Sequence, residues 1–75
     1  MTPEEAVVYY DDPANAAMMC TILMRARPGW TVWRGDDRIW RARRDDWPPE
    51  RLPLADQNAG LLNLAMAYVD GGDAA

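Results

Sequence analysis

Residues 30–44 place two arms rich in Trp, Val, Thr and Ile on either side of Gly35-Asp36. These residue types suit a pleated surface, and a glycine between two such arms is a turn signal. The pattern predicts a β-hairpin. Gly35-Asp36 fits a two-residue type II′ turn, in which glycine takes the first central position with positive φ. That turn sets a register: Arg34 opposite Asp37, Trp33 opposite Arg38, Val32 opposite Ile39, Thr31 opposite Trp40, and Trp30 opposite Arg41. Trp30, Val32, Arg34, Ile39, Arg41 and Arg43 then share one face. Thr31, Trp33, Arg38, Trp40, Ala42 and Arg44 share the other. A slip of one residue on one arm exchanges that arm's faces. Either way, tryptophan stands on both sides of the ribbon. A two-stranded ribbon is marginal alone, so at least one face needs a helix against it.

The remaining chain is short. Its 75 residues make one domain, residues 1–75. A chain of this length buries only about 60% of the surface its unfolded form exposes. A core of this size rarely supplies more than roughly 3–5 kcal/mol. One cysteine and no histidine exclude an intrachain disulfide and a Cys/His metal cluster. Packing and self-association are the remaining sources of stability. No apolar run approaches the roughly 18 residues of a membrane span, and no basic-then-apolar leader opens the chain. A cytoplasmic protein without membrane attachment is expected.

The net charge of −4 is unevenly spread. Residues 1–24 hold Glu4, Glu5, Asp11 and Asp12 and no base, whereas residues 25–51 hold all eight arginines. The basic middle is either balanced internally or offered to an acidic partner. Lysine, serine, phenylalanine and histidine are absent. Arg, Ala, Gly and Pro have GC-rich codons, which points to a GC-rich genome, such as that of an actinobacterium or its phage.

Helices flank the hairpin. Thr2-Pro3-Glu4-Glu5 is a capping-box pattern. It opens a short helix to about Tyr10, although residues 6–10 suit a strand on propensity alone. Asp12-Pro13 opens a second helix, Pro13–Ala26, with Asp at the N-cap and Pro in the first turn. Its apolar side is wide, with Ala16, Ala17, Met19, Cys20, Leu23 and Met24 flanked by Met18 and Ile22. Such a stripe suits burial on two sides, or a homodimer through this Met-rich helix. Pro28-Gly29 turns the chain into the hairpin. Pro48, Pro49 and Pro53 predict an extended connection, with Trp47 folded back onto the core. A last helix runs from residue 53 or 56 to 69. It shows Leu61, Leu62, Ala65, Met66, Tyr68 and Val69 on one face, with Gly71 as a left-handed stop. Gly60 within it suggests a close approach of helix to ribbon. The expected class is α+β, in the order α-α-β-β-α.

The arm Pro28-Gly29-Trp30-Thr31-Val32-Trp33-Arg34 with Arg38-Ile39-Trp40 resembles a group of small actinobacterial and actinophage proteins. These carry a Pro-Gly-Trp-x-Ile/Val-Trp-Arg arm followed by an arm with Arg and Trp. The likeness covers about a fifth of the chain. The flanking helices do not share it, and the two-residue turn is shorter than the group's. It implies the hairpin and the origin, and no activity.

Absences limit the chemistry. Without Ser or His there is no serine triad, and without His no Cys–His pair. Without Lys there is no Walker-A lysine and no Schiff base. Cys20 reads as core filler. Asp11-Asp12, Asp36-Asp37 and Asp45-Asp46 could hold a divalent cation, yet each sits at a cap, turn or loop where Asp is ordinary. Neither catalysis, nor a metal, nor a cofactor is expected. The ribbon is left as the functional stretch. Its arginines and tryptophans could stack on one another, dock a protein, or bind nucleic acid through phosphates and bases. The acidic total speaks against nucleic acid. A protein-binding module is expected, such as a phage-encoded inhibitor of a host protein. Its candidate contact residues are Trp33, Trp40, Arg38, Arg41 and Arg43. A small nucleic-acid-binding or regulatory factor using the same residues is the alternative.

Overall fold

Asp12 starts the first long helix as its sequence dictates. In a computed structural model that describes residues 2, 5 and 9–71, the Asp12 carboxylate accepts the Ala14 N–H at 2.8 Å, and Pro13 opens α1, Pro13–Ala26. The rigid φ of proline suits that first turn, and its missing N–H costs nothing there. Upstream, the Thr2 hydroxyl accepts the Glu5 N–H at 3.2 Å, one half of the anticipated capping box. Glu5, Tyr9 and Tyr10 have helical backbone. Pro3 at the first helical position, and the helix-or-strand choice for Ala6, Val7 and Val8, lie outside the described residues.

Gly29, at φ 90°, turns the chain from α1 into strand β1, Trp30–Arg34. Strands β2 (Trp40–Arg44) and β3 (Leu54–Asp56) follow, and then helix α2, Ala59–Gly71. The described residues thus form an α+β unit, with two helices and an antiparallel sheet in the order β1-β2-β3. The third strand corrects the expected two-stranded hairpin. Leu54 pairs with Ala42, and Asp56 with Trp40. Leu-Ala-Asp has little strand propensity; it is the open edge of β2 that draws it into the sheet. The Asp56 carboxylate then accepts the Asn58 N–H at 2.9 Å, and Asn58 caps α2 by accepting the Leu61 N–H at 3.1 Å. Helix α2 therefore starts later than expected. It also continues through Gly71, whose φ is not positive, while Gly72 lies outside the described residues.

The hairpin register differs from the expected one by three residues. Trp30 pairs with Arg44, Val32 with Ala42, Trp33 with Arg41 and Arg34 with Trp40. Its connection is a three-residue loop, Asp36-Asp37-Arg38. The Arg38 N–H donates to the Gly35 carbonyl at 2.9 Å, and the Gly35 N–H to that of Ile39 at 3.0 Å. Arg38, not Gly35, takes the left-handed conformation, with φ 64°. This is the second common hairpin geometry, in which a type I turn is followed by a left-handed residue. The reason for Gly35 is space. A Cβ there would lie 2.5 Å from Arg41 Nη1 and 2.7 Å from Asp37 Oδ1.

An odd shift exchanges the faces of β2. Trp40 and Ala42 join Trp30 and Val32 on the face that meets both helices. From α1 come Ala16, Cys20 and Leu23, and from α2 Ala59, Leu62 and Met66. Trp47 does fold back, its ring 5.4 Å from that of Trp30 at 70°. Gly60 is exposed, and the one neighbour its Cβ would crowd is its own cap, Asn58 Oδ1 at 3.0 Å, rather than the ribbon. Asp70 ties the layers together. Its carboxylate accepts the Trp30 indole N–H at 2.9 Å and the Arg44 guanidinium at 3.1 Å, with Arg27 at 3.6 Å.

Two stability outcomes follow from this geometry. Asp70→Ala leaves the Trp30 N–H without its acceptor and lowers the unfolding free energy by about 1–3 kcal/mol, read by urea denaturation. Arg38→Gly relieves a left-handed non-glycine backbone, less the loss of an exposed ion pair to Asp11. It raises stability by about 0.5–1 kcal/mol, and a fall in the urea midpoint would contradict the role assigned to that φ.

Candidate protein-binding face

The sheet has two unlike sides. Its inner side carries the core and both helices. Among the described residues no helix covers the outer side, where Thr31, Trp33, Arg41 and Arg43 stand, with Ala55 added by β3. Trp33 is half-buried, directly across from Arg41.

Arg41 and Arg43 are held in place. Arg41 forms a two-pronged pair with Asp37, at 2.9 and 2.7 Å. The Nη1–Oδ1 prong crosses the space that a Gly35 side chain would fill. Arg43 donates to the Trp47 and Pro48 carbonyls, each at 3.1 Å. Thr31 donates to Asp45 at 2.7 Å, pinning the start of the same face.

The structure therefore brings together three of the five candidate residues, Trp33, Arg41 and Arg43. Arg38 stands apart at the loop tip, 73% exposed and 3.3 Å from Asp11. Trp40 is a correction. It is 2% exposed, within the core, because the register shift turned its arm over. Arg34 stacks over its ring at 5.4 Å, and Tyr10 meets it edge-on at 5.9 Å. Truncating a buried tryptophan costs about 3–5 kcal/mol, comparable to the whole stability of a domain this size. Trp40→Ala would report folding rather than binding.

The arginines of the ribbon have acceptors within the chain. Arg34 donates to the Tyr10 carbonyl at 2.7 Å and to Asp11 at 3.1 Å, while its buried Nε has no partner among the described residues. Arg44 bonds Asp46 and Asp70. Arg51 lies 3.7 Å over the Trp47 ring. The basic middle is in this sense largely balanced internally.

A groove of about 450 Å³ runs between α1 and β1, past Cys20, Met24, Trp33 and Arg34. Burial pushes the Cys20 thiol up, against the smaller opposing pull of Arg34. A thiol so placed is poorly ionised and poorly nucleophilic. Among the described residues no three acidic or thiol groups converge on a point where a metal could sit. No helix there is long and apolar enough to cross a membrane. Comparison with known proteins finds no family model, no curated protein and no solved structure that matches the chain.

Sequence reasoning missed one exposed feature. Leu61, Leu64 and Tyr68 face outward on α2, at 54%, 64% and 76% exposure. The signal was present: residues 59–69 contain no charged side chain, so this helix has no polar face to give to solvent.

Asp37 makes the loop sensitive to acid. The Arg41 hydrogen bonds first, and the Ile39 N–H second, hold its carboxyl at about 2, below its ordinary 3.8. A depressed folded-state value contributes stability above the unfolded value and loses it as pH falls through the folded one. Wild-type stability should therefore fall as pH drops from about 3.8 to about 2. In Asp37→Asn that part of the loss should vanish, as measured by urea denaturation across the range.

Proposed function

We propose that this chain is a non-enzymatic protein-binding module that docks through the outer face of its sheet. The observation that carries this reading is the helix-free face on which Trp33 stands directly across from tethered Arg41, with tethered Arg43 next along β2. Tryptophan and arginine are the residues most enriched where binding energy concentrates. Arg41 and Arg43 are already ordered by Asp37 and by the 47–48 carbonyls. Less side-chain entropy is then lost when a partner docks. Arg38, exposed at the loop tip, extends the surface at its rim.

Masking of a host protein by a phage product is one concrete form of this activity, in keeping with the resemblance of the hairpin to actinophage sequences. The absence of His, Ser and Lys, with a thiol that burial keeps protonated, supports a role without catalysis. Binding of nucleic acid through the same residues is the weaker reading. The arginines that would meet phosphates are engaged with Asp, backbone carbonyls and tryptophan rings, and the chain is acidic overall.

The test is capture from an actinobacterial lysate treated with nuclease, at low and high salt. One protein should be retained in stoichiometric amount by the wild type and lost on Trp33→Ala, with the variant's melting transition intact. Retained material that disappears with nuclease, or that weakens steeply with salt, would reverse the order of the two readings.

A further inference from the structure

The arginines of the ribbon are not equivalent. Arg34 and Arg38 pair with Asp11, Arg41 with Asp37, and Arg44 with Asp46 and Asp70. Arg43 pairs with no carboxylate among the described residues. The acids closest to it in sequence are turned elsewhere. Asp45 accepts the Thr31 hydroxyl at 2.7 Å, and Asp46 accepts the Arg44 guanidinium at 3.1 Å. Arg25 and Arg51 also lack a carboxylate there, but neither belongs to the sheet. Arg25 sits in the last turn of α1, where the helix dipole accommodates a cation, and Arg51 lies over the Trp47 ring.

Arg43 is oriented without being neutralised. Its Nη2 donates to the Trp47 and Pro48 carbonyls, each at 3.1 Å. These acceptors are neutral dipoles, so they fix the guanidinium and leave its positive charge in place. Nε and Nη1 have no acceptor among the described residues, and neither is buried. An ordered guanidinium with an open edge suits an oxyanion, which takes short, charge-assisted hydrogen bonds from it. No side chain of this protein has to be displaced first. Arg43 stands on the helix-free face, opposite Thr31 and diagonal to Trp33. Such diagonal neighbours lie about 7–8 Å apart, within the span of two adjacent side chains of a partner.

The number of free cations selects the anion. A nucleic-acid backbone is held by several basic groups at once. Here the other arginines of the ribbon are already paired with acids, and the net charge of −4 repels a polyanion. One acidic side chain beside one apolar side chain asks for no more than Arg43 and Trp33 supply. Building on the docking role proposed for this face, we infer that the protein partner brings an Asp or Glu carboxylate onto Arg43 and an apolar side chain onto Trp33.

The probes are two capped dipeptides, acetyl-Phe-Glu-amide and its neutral isostere acetyl-Phe-Gln-amide. Each is titrated into the isotopically labelled full chain at low ionic strength, where exposed charges are least screened. The Arg43 Nε–H and Trp33 indole resonances shift together and saturably with the glutamate peptide. The glutamine peptide binds about fivefold more weakly. Arg43→Gln removes that difference, and Arg43→Lys, which keeps the charge, restores much of it. Equal affinity of the two peptides for the wild type overturns the inference. So does a thymidine oligonucleotide that displaces the glutamate peptide from Arg43, which would assign the face to nucleic acid. A lysate protein lost on Trp33→Ala yet fully retained by Arg43→Gln overturns it too, and leaves the docking role standing. Carboxylate preference at Arg43 with no protein captured upholds the anion site and removes the docking role.

Discussion

The left-handed backbone at Arg38 sets the parity of the hairpin, and the rest of the molecule depends on that parity. A three-residue loop pairs Gly35 with Ile39 and fixes every later pair. Trp40 and Ala42 then stand beside Trp30 and Val32, giving one continuous apolar side that two helices can cover. Arg41 and Arg43 are turned outward by the same step. With a two-residue turn, Trp40 and Ala42 would have stood on the side opposite Trp30 and Val32, and neither side would have made a continuous core. Asp37 and Gly35 act together here: the carboxylate anchors Arg41 across the turn, and the missing side chain leaves room for the pair.

Asp70 closes the fold from the other end. An acid in the last turn of a helix opposes the helix dipole, so its position needs compensation. Arg27 after α1 and Arg44 at the end of β2 supply it, and the Trp30 indole adds a donor. One carboxylate thereby joins both helices and the two long strands. This accounts for much of what the charge pattern left open. The arginines concentrated in the middle of the chain meet acids that the fold brings in from Asp11 on one side and Asp70 on the other.

Local chemistry was legible in the sequence, and tertiary choice was not. Asp12-Pro13 announced α1, because a cap and a proline act within one turn. Trp47, at the start of the proline-rich connection, was expected to fold back onto the core, and it packs there against Trp30. The register was not readable, since Gly35-Asp36 and Asp36-Asp37-Arg38 are both plausible loops. Only packing against helices distinguishes them, and a non-glycine residue at positive φ leaves no mark on a turn motif. Strand β3 was invisible for a similar reason: three residues with no strand preference are recruited by an unfilled edge. In α2 the apolar residues surround the axis, so periodicity alone could not say which stripe faces inward. Of the candidate site, Trp33, Arg41 and Arg43 came together despite the wrong register. Trp40 did not, because face assignment follows parity.

Cys20 gives this architecture an internal clock. The chain's single thiol is buried in the core where α1 meets β1, and burial keeps it protonated. It also lines the groove between α1 and β1 and is 9% exposed, so a thiol reagent meets only its edge until the helix lifts from the sheet. Reagents too large for the groove react at a rate that follows the opening of α1, and smaller ones report access through the groove itself. The native sequence thus carries one spectroscopically addressable position at the seam between its layers. The motion that would loosen the inner wall of the sheet can be timed without engineering a probe.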